Sequence, residues 1–277
     1  MVVALIHKVL NPLFAMLFYP FSRTDPLWGL LAVSVLTSVL ALLVYRYFSS
    51  QTQIGRVKDL LKAHILEMRL FQQDPFLMGR AVRSALRANL SYLRLNLKPF
   101  LVMFIPVVLI LVQLEARFGY RPLRPGEPVL VRSFWQTAAP LQDQDLEQRV
   151  QGEGVSFDSP PLRIGEKREI DWKVRVNGSG PASLSLWNGQ ERVSIPLRVS
   201  DQLVPVSSWN GRKGDSKRFF YPAAETLPDR GDLVAVEVDY PARNLTFWGA
   251  PVHWIWPFSV FTLIAGYLLK GFFKVQL

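Results

Sequence analysis

No cysteine occurs in the 277 residues. Disulfides, thiolate-ligated zinc and thiol nucleophiles are therefore excluded. Histidine is scarce, at three residues, and none of them falls between residues 118 and 251. No G-x-S-x-G, H-E-x-x-H or phosphate-loop motif is present. Asp143, Asp145 and Glu147 read as an exposed acidic loop rather than a calcium site. The chain is thus expected not to be an enzyme and to need neither cofactor nor metal.

Acidic residues are sparse in one stretch only. Between Arg46 and Lys98 stand ten Lys or Arg against three Asp or Glu, whereas residues 118–251 carry seventeen of each. The net charge of +10 therefore belongs to one short segment. A basic block beside an apolar run obeys the positive-inside rule, which places it in the cytoplasm.

Crossing the hydrocarbon core takes about 20 apolar residues. Three stretches approach that length: 27–48, 99–117 and 252–273. The second contains Pro106, which removes a backbone donor and predicts a kink. With residues 49–98 inside, the N-terminus and residues 118–251 lie outside, and the tail 274–277 lies inside. Trp28, Trp248, Trp254 and Trp256 then form outer aromatic anchors, and Lys270 and Lys274 mark the inner side. The expected location is the inner membrane, with several passes. Within the N-terminal segment 1–26, residues 2–21 are apolar but broken by His7, Lys8, Pro12 and Pro20. They read as an interfacial or re-entrant helix rather than a full span or a signal peptide.

Residues 49–98 read as a basic helical hairpin of coiled-coil type. Ile54, Val57, Leu61, Ile65, Met68 and Leu70 form one stripe, and Met78, Val82, Leu86, Leu90, Leu93 and Leu97 another. Asp74-Pro75 separates the arms as a helix start. Arg56, Lys58, Lys62, Arg80, Arg83, Arg87 and Arg94 line the other faces. Either they are simply solvated, or they meet anionic lipid, ribosomal RNA or an acidic nascent chain.

From Pro128 to Phe247 the patterning turns to period two. Strands are expected at Glu169–Val176, Ala182–Leu186, Arg192–Val199 and Leu233–Val238. Turns are expected at Asn177-Gly178, Asn188-Gly189 and Asn210-Gly211, with the second closing a hairpin. Residues 136–150 and 208–230 read as longer loops or a short helix. The expected fold is an inserted all-β sandwich, similar in pattern to the immunoglobulin kind, serving as a binding or scaffolding module.

Polar residues form stripes within the spans. Ser34, Thr37 and Ser38, near Tyr45, share a face of the first. Ser259, Thr262, Gly266 and Lys270 share a face of the third, and Gln113 lies near the outer end of the second. Such residues serve helix packing, or they line a hydrated groove with Arg46 at its cytoplasmic mouth.

An outside N-terminus, a span, a basic cytoplasmic hairpin and two further spans resemble the YidC/Oxa/Alb insertase superfamily. The likeness is to its three-span branch, the archaeal YidC-like proteins and the insertase subunit of the ER membrane protein complex. Leu42–Gln51, with Arg46 just inside the membrane, carries the local likeness, as does the run from Asp74-Pro75 into the second span. The amphipathic N-terminal segment is similar to the interfacial helix that precedes the first span in bacterial members. The 118–251 insertion departs from that pattern, and so does the absence of a five-span layout. The resemblance implies an insertase or chaperone that works without covalent chemistry. Its partners would be the lipid bilayer, nascent or unfolded membrane-protein clients and the ribosome. The alternative is a membrane-anchored scaffold whose β domain binds an envelope protein.

Overall fold

The computed structural model describes residues 2–142, 150–187, 190–247, 249–273 and 275. Asp143, Asp145, Glu147, the Asn188-Gly189 turn, Trp248 and Lys274 lie outside the described residues. The chain divides into two compact units, Met1–Gly29 with Leu111–Trp254, and Leu30–Ile110 with Ile255–Leu277.

Helix α1 spans Val2–Phe18, α2 Pro26–Phe48, α3 Gln51–Leu70, α4 Pro75–Leu114 and α6 Ile255–Leu269, with a short α5 at Ala139–Gln142. Two stretches, Pro26–Phe48 and Pro75–Gly119, are long and apolar enough to cross a membrane, while α6 is apolar but shorter. The Asp74-Pro75 boundary forms as its chemistry dictates. The Asp74 carboxylate accepts the N–H groups of Phe76 (2.9 Å) and Leu77 (3.2 Å), and proline at the first helical position forfeits a donor that is unpaired there anyway.

The hairpin arm and the second span are one element rather than two. α4 continues through Pro99 and Pro106 for 40 residues, about 60 Å at 1.5 Å per residue. Each proline costs one ladder bond, leaving the carbonyls of Leu95 and Val102 without their i+4 donor.

The β domain lies wholly in the first unit. Its strands β1–β12 are Pro128–Trp135, Gln151–Glu153, Val155–Phe157, Leu162–Ile164, Glu169–Val176, Ala182–Trp187, Arg192–Leu197, Trp209–Arg212, Thr226–Leu227, Leu233–Val238, Leu245–Phe247 and Ala250–Val252. The larger sheet runs β3-β5-β1-β10-β8-β9, with β4 also on β5; a smaller one runs β2-β6-β7. All pairs are antiparallel except β8 with β9. Alternate residues of both sheets meet in one core, including Val131, Trp172 and Val174 from the larger and Leu184, Leu186 and Ile195 from the smaller. This is a sandwich-like arrangement, as period two requires. β6 and β7 form the expected hairpin, with Trp187 opposite Arg192. Pro196 is tolerated because β7 is an edge strand.

A buried serine organises that core. Ser133 donates to the carbonyl of Ile170 (2.9 Å) and accepts the indole N–H groups of Trp135 (3.0 Å) and Trp172 (3.3 Å). One donor and two lone pairs are the full capacity of a hydroxyl.

Two expectations for this region need correction. Asn210-Gly211 is not a turn but part of β8, paired with β10. Buried Asn210 accepts the N–H of Glu225 (2.8 Å), and the missing Cβ of Gly211 leaves room for the Asp215 carboxylate. Trp254 is not a lipid-facing anchor. It is 2% exposed, and its indole N–H donates to Glu115 (2.9 Å). Trp28 and Trp256 are exposed.

Candidate functional site: an open groove in the helical unit

The second unit contains a groove of about 780 Å³. α2 contributes Ser38, Ala41, Leu42 and Tyr45. α4 contributes Asn96, Pro99, Phe100 and Met103. α6 contributes Thr262, Gly266 and Tyr267 among others. The lining is overwhelmingly apolar.

Its few polar groups sit in defined places. At one end the Tyr45 hydroxyl donates to the side-chain carbonyl of Asn96, whose amide donates in turn to the Tyr92 carbonyl (2.7 Å). The Ser38 hydroxyl lies 2.7 Å from the Thr262 carbonyl and 2.9 Å from that of Ser34. The Thr262 hydroxyl oxygen is buried with no partner among the described residues. A buried hydroxyl left unsatisfied costs about 1–3 kcal/mol.

The other expected groove residues are distributed differently. Ser34 lies within 2.8 Å of the Leu30 carbonyl and 3.4 Å of Phe258. Thr37 bonds the Val33 carbonyl (2.8 Å). Both are buried, and neither lines the groove. Bonds to the carbonyl four residues back are the usual outlet for such hydroxyls in a helix. Ser259 is half-buried and Arg46 exposed. Gln113 is not a groove residue: it belongs to the first unit, where it bonds Asn11 and Arg117. Tyr45, expected near the stripe of the first span, lines the groove, and Asn96 and Tyr267 are groove residues that polar-stripe reasoning did not assign. The Asn96 signal was a lone amide one turn before an apolar run.

The hairpin also differs from expectation. Ala81 is buried, with Ser84, Ala85, Ala88 and Tyr92 half-buried, whereas Met78, Val82, Leu86, Leu90, Leu93 and Leu97 are all exposed. α4 carries two stripes, and the small-residue one is the covered one. On α3, Ile54 is buried but Ile65 and Leu70 are exposed. Among the charges, Arg56, Lys62, Arg80, Arg83, Arg87 and Arg94 are exposed. Lys62 pairs at 3.7 Å with Asp59. Lys58 is half-buried, its ammonium 5.8 Å from the Tyr92 ring centre.

No family model, curated protein or solved structure matches the chain.

Proposed function

We propose that the chain is a membrane-protein insertase or chaperone of the YidC/Oxa/Alb type, with three spans formed by α2, the second half of α4, and α6. α6 is extended by bonded turns through Lys270 and Phe273, which lengthens the apolar segment toward the thickness of a bilayer. The hairpin is cytoplasmic by its basic excess, the β domain lies outside, and the membrane is the inner one.

The observation that carries this reading is the open apolar groove with polar groups at one end. A client's hydrophobic segment would lie against Leu42, Phe100 and Tyr267. Its flank would meet Tyr45 and Asn96, with Arg46 on the same turn attracting acidic residues. A charge at mid-bilayer costs about 2.5–3.5 kcal/mol on insertion scales. An apolar lining relieves little of that cost, so suitable clients carry few charges at groove depth.

Crosslinkers at Ser38, Thr262 and Tyr267 should capture nascent membrane proteins from ribosome-bound intermediates. Leu36, exposed on α2 but outside the groove, and buried Thr37 serve as controls. Equal capture at all five positions would refute the groove.

A second reading, a membrane-anchored scaffold for an envelope partner, is favoured by one observation. Ser34 and Ser38 hydroxyls reach carbonyls of α6, which is close helix packing of an ordinary kind.

A further inference from the structure

Arg117, in the π-helical turn Glu115–Gly119 that follows α4, is 2% exposed and has no ion-pair partner among the described residues. Its Nη1 donates to the backbone carbonyl (3.1 Å) and the side-chain oxygen (2.9 Å) of Gln113. Gln113 is itself held by Asn11 (2.8 Å), and Asn11 by the Pro222 carbonyl (2.8 Å). The rings of Phe14 and Phe18 lie 5.7 and 5.4 Å from the guanidinium carbon. These contacts hold the cation in place without neutralising it. A buried charge without a counter-charge is strongly unfavourable unless a ligand or water completes it.

The rest of the guanidinium points to what completes it. Nε and Nη2 bond no described residue, and Arg117 lines a cleft of about 500 Å³ that contains a second cation, Arg23, and no Asp or Glu. The Nε–Nη2 edge is one of the two edges by which a guanidinium grips an oxyanion through parallel bonds. The rest of the border is mainly apolar, including Phe18, Tyr19, Leu203 and Pro205, with Ser22 and Gln202 as its polar members. The cleft lies at the C-terminal end of α1, whose buried face is His7, Phe14 and Phe18. The opposite face, Leu5, Val9, Leu13 and Met16, is exposed at 56–82%. A fixed cation in a cleft bordered mainly by apolar side chains matches an amphiphile with an anionic head.

We propose that this cleft is a phosphate site, gripped by Arg117 and assisted by Arg23, and that the phosphate is the headgroup of an anionic phospholipid whose chains leave the cleft past Tyr19, Leu203 and Pro205. The proposal rests on the membrane placement above but not on insertion activity.

Native mass spectrometry of the full-length protein, released from mixed micelles, tests it. Phosphatidylglycerol should be retained over diacylglycerol, which lacks the phosphate, by about tenfold, the factor a charge-assisted pair supplies. Arg23→Gln, at an exposed position, should lower that preference. Arg117→Gln should abolish it, and Arg117→Lys should restore part of it if the variant loses only the fork. Inorganic phosphate that protects the protein as well as the lipid does would support the phosphate grip and overturn the lipid as its source. Equal retention of both lipids by wild type in a chain that integrates into liposomes would overturn the site alone, leaving a hydrated arginine. A chain that never integrates would overturn the membrane placement and this proposal together.

Discussion

At the scale of single residues, burial decides what each polar group does. Tyr240 is 3% exposed, and its hydroxyl oxygen accepts the backbone N–H of Arg198 (2.9 Å). Burial pushes its pKa from 10 up to about 12, because phenolate is penalised more than phenol in the core. The folded state therefore holds its proton more tightly than the unfolded state. The stabilisation is complete below about pH 10 and is lost as pH rises towards about 12. The loss should be roughly 2–3 kcal/mol across that window. Denaturant titrations of wild type and Tyr240→Phe at both ends should show the steeper fall in wild type alone. Parallel slopes would refute it. At the acid end, the guanidinium of Arg121 beside Glu127 (2.6 and 2.8 Å) holds that carboxyl below its usual range. Tyr240 could be read as apolar with a polar tip, but its partner, 42 residues away, could not.

At the scale of elements, α4 shows how far periodicity reaches. The stripe Leu86, Leu90, Leu93 and Leu97 repeats at four, three and four residues, the spacing of a coiled-coil seam, yet all four side chains are exposed. Period locates a stripe on a helix; it does not say which stripe finds a partner. Under the proposed function this ridge, flanked by Arg87 and Arg94, is the first apolar surface a client meets. Leu86→Glu with Leu93→Glu should leave the unfolding transition within about 0.5 kcal/mol, as surface changes do. The same pair should lower client capture at Ser38 and Thr262 several-fold. A large loss of stability would show that the ridge is covered, and unchanged capture would remove it from the client path. β8 teaches the converse: its Asn-Gly pair carries a turn signature, but pairing with β10 and the bond to Glu225 override it.

At the scale of the whole molecule, the chain is not divided where composition changes. α1 and the end of α4 belong with the β domain, tied by the bonds of Asn11 to Gln113 and Pro222. Every groove residue belongs to the other unit. Replacing residues 128–247 by a short flexible linker removes none of them. An insertase core should then still capture clients at Ser38 and Thr262, while a scaffold should lose its partner in pull-downs from membranes. Loss of capture with the spans still integrated would argue for the scaffold.

The sequence by itself determined what depends on neighbours along the chain. Helix against strand followed from period, the α3–α4 break from Asp74-Pro75, the two long apolar helices from hydropathy, and the strands at 169–176 and 233–238 from alternation. These outcomes follow from local sterics, backbone hydrogen bonding and hydrophobic periodicity. Only the tertiary structure decided that Trp254 is buried on Glu115, that Gln113 serves Arg117 rather than a groove, that the alanine stripe of α4 is the covered one, and that the groove is apolar. Each of these depends on which distant surface removes a side chain from water. No local pattern specifies that surface, because the same side chain is satisfied by lipid, by a partner helix or by the core.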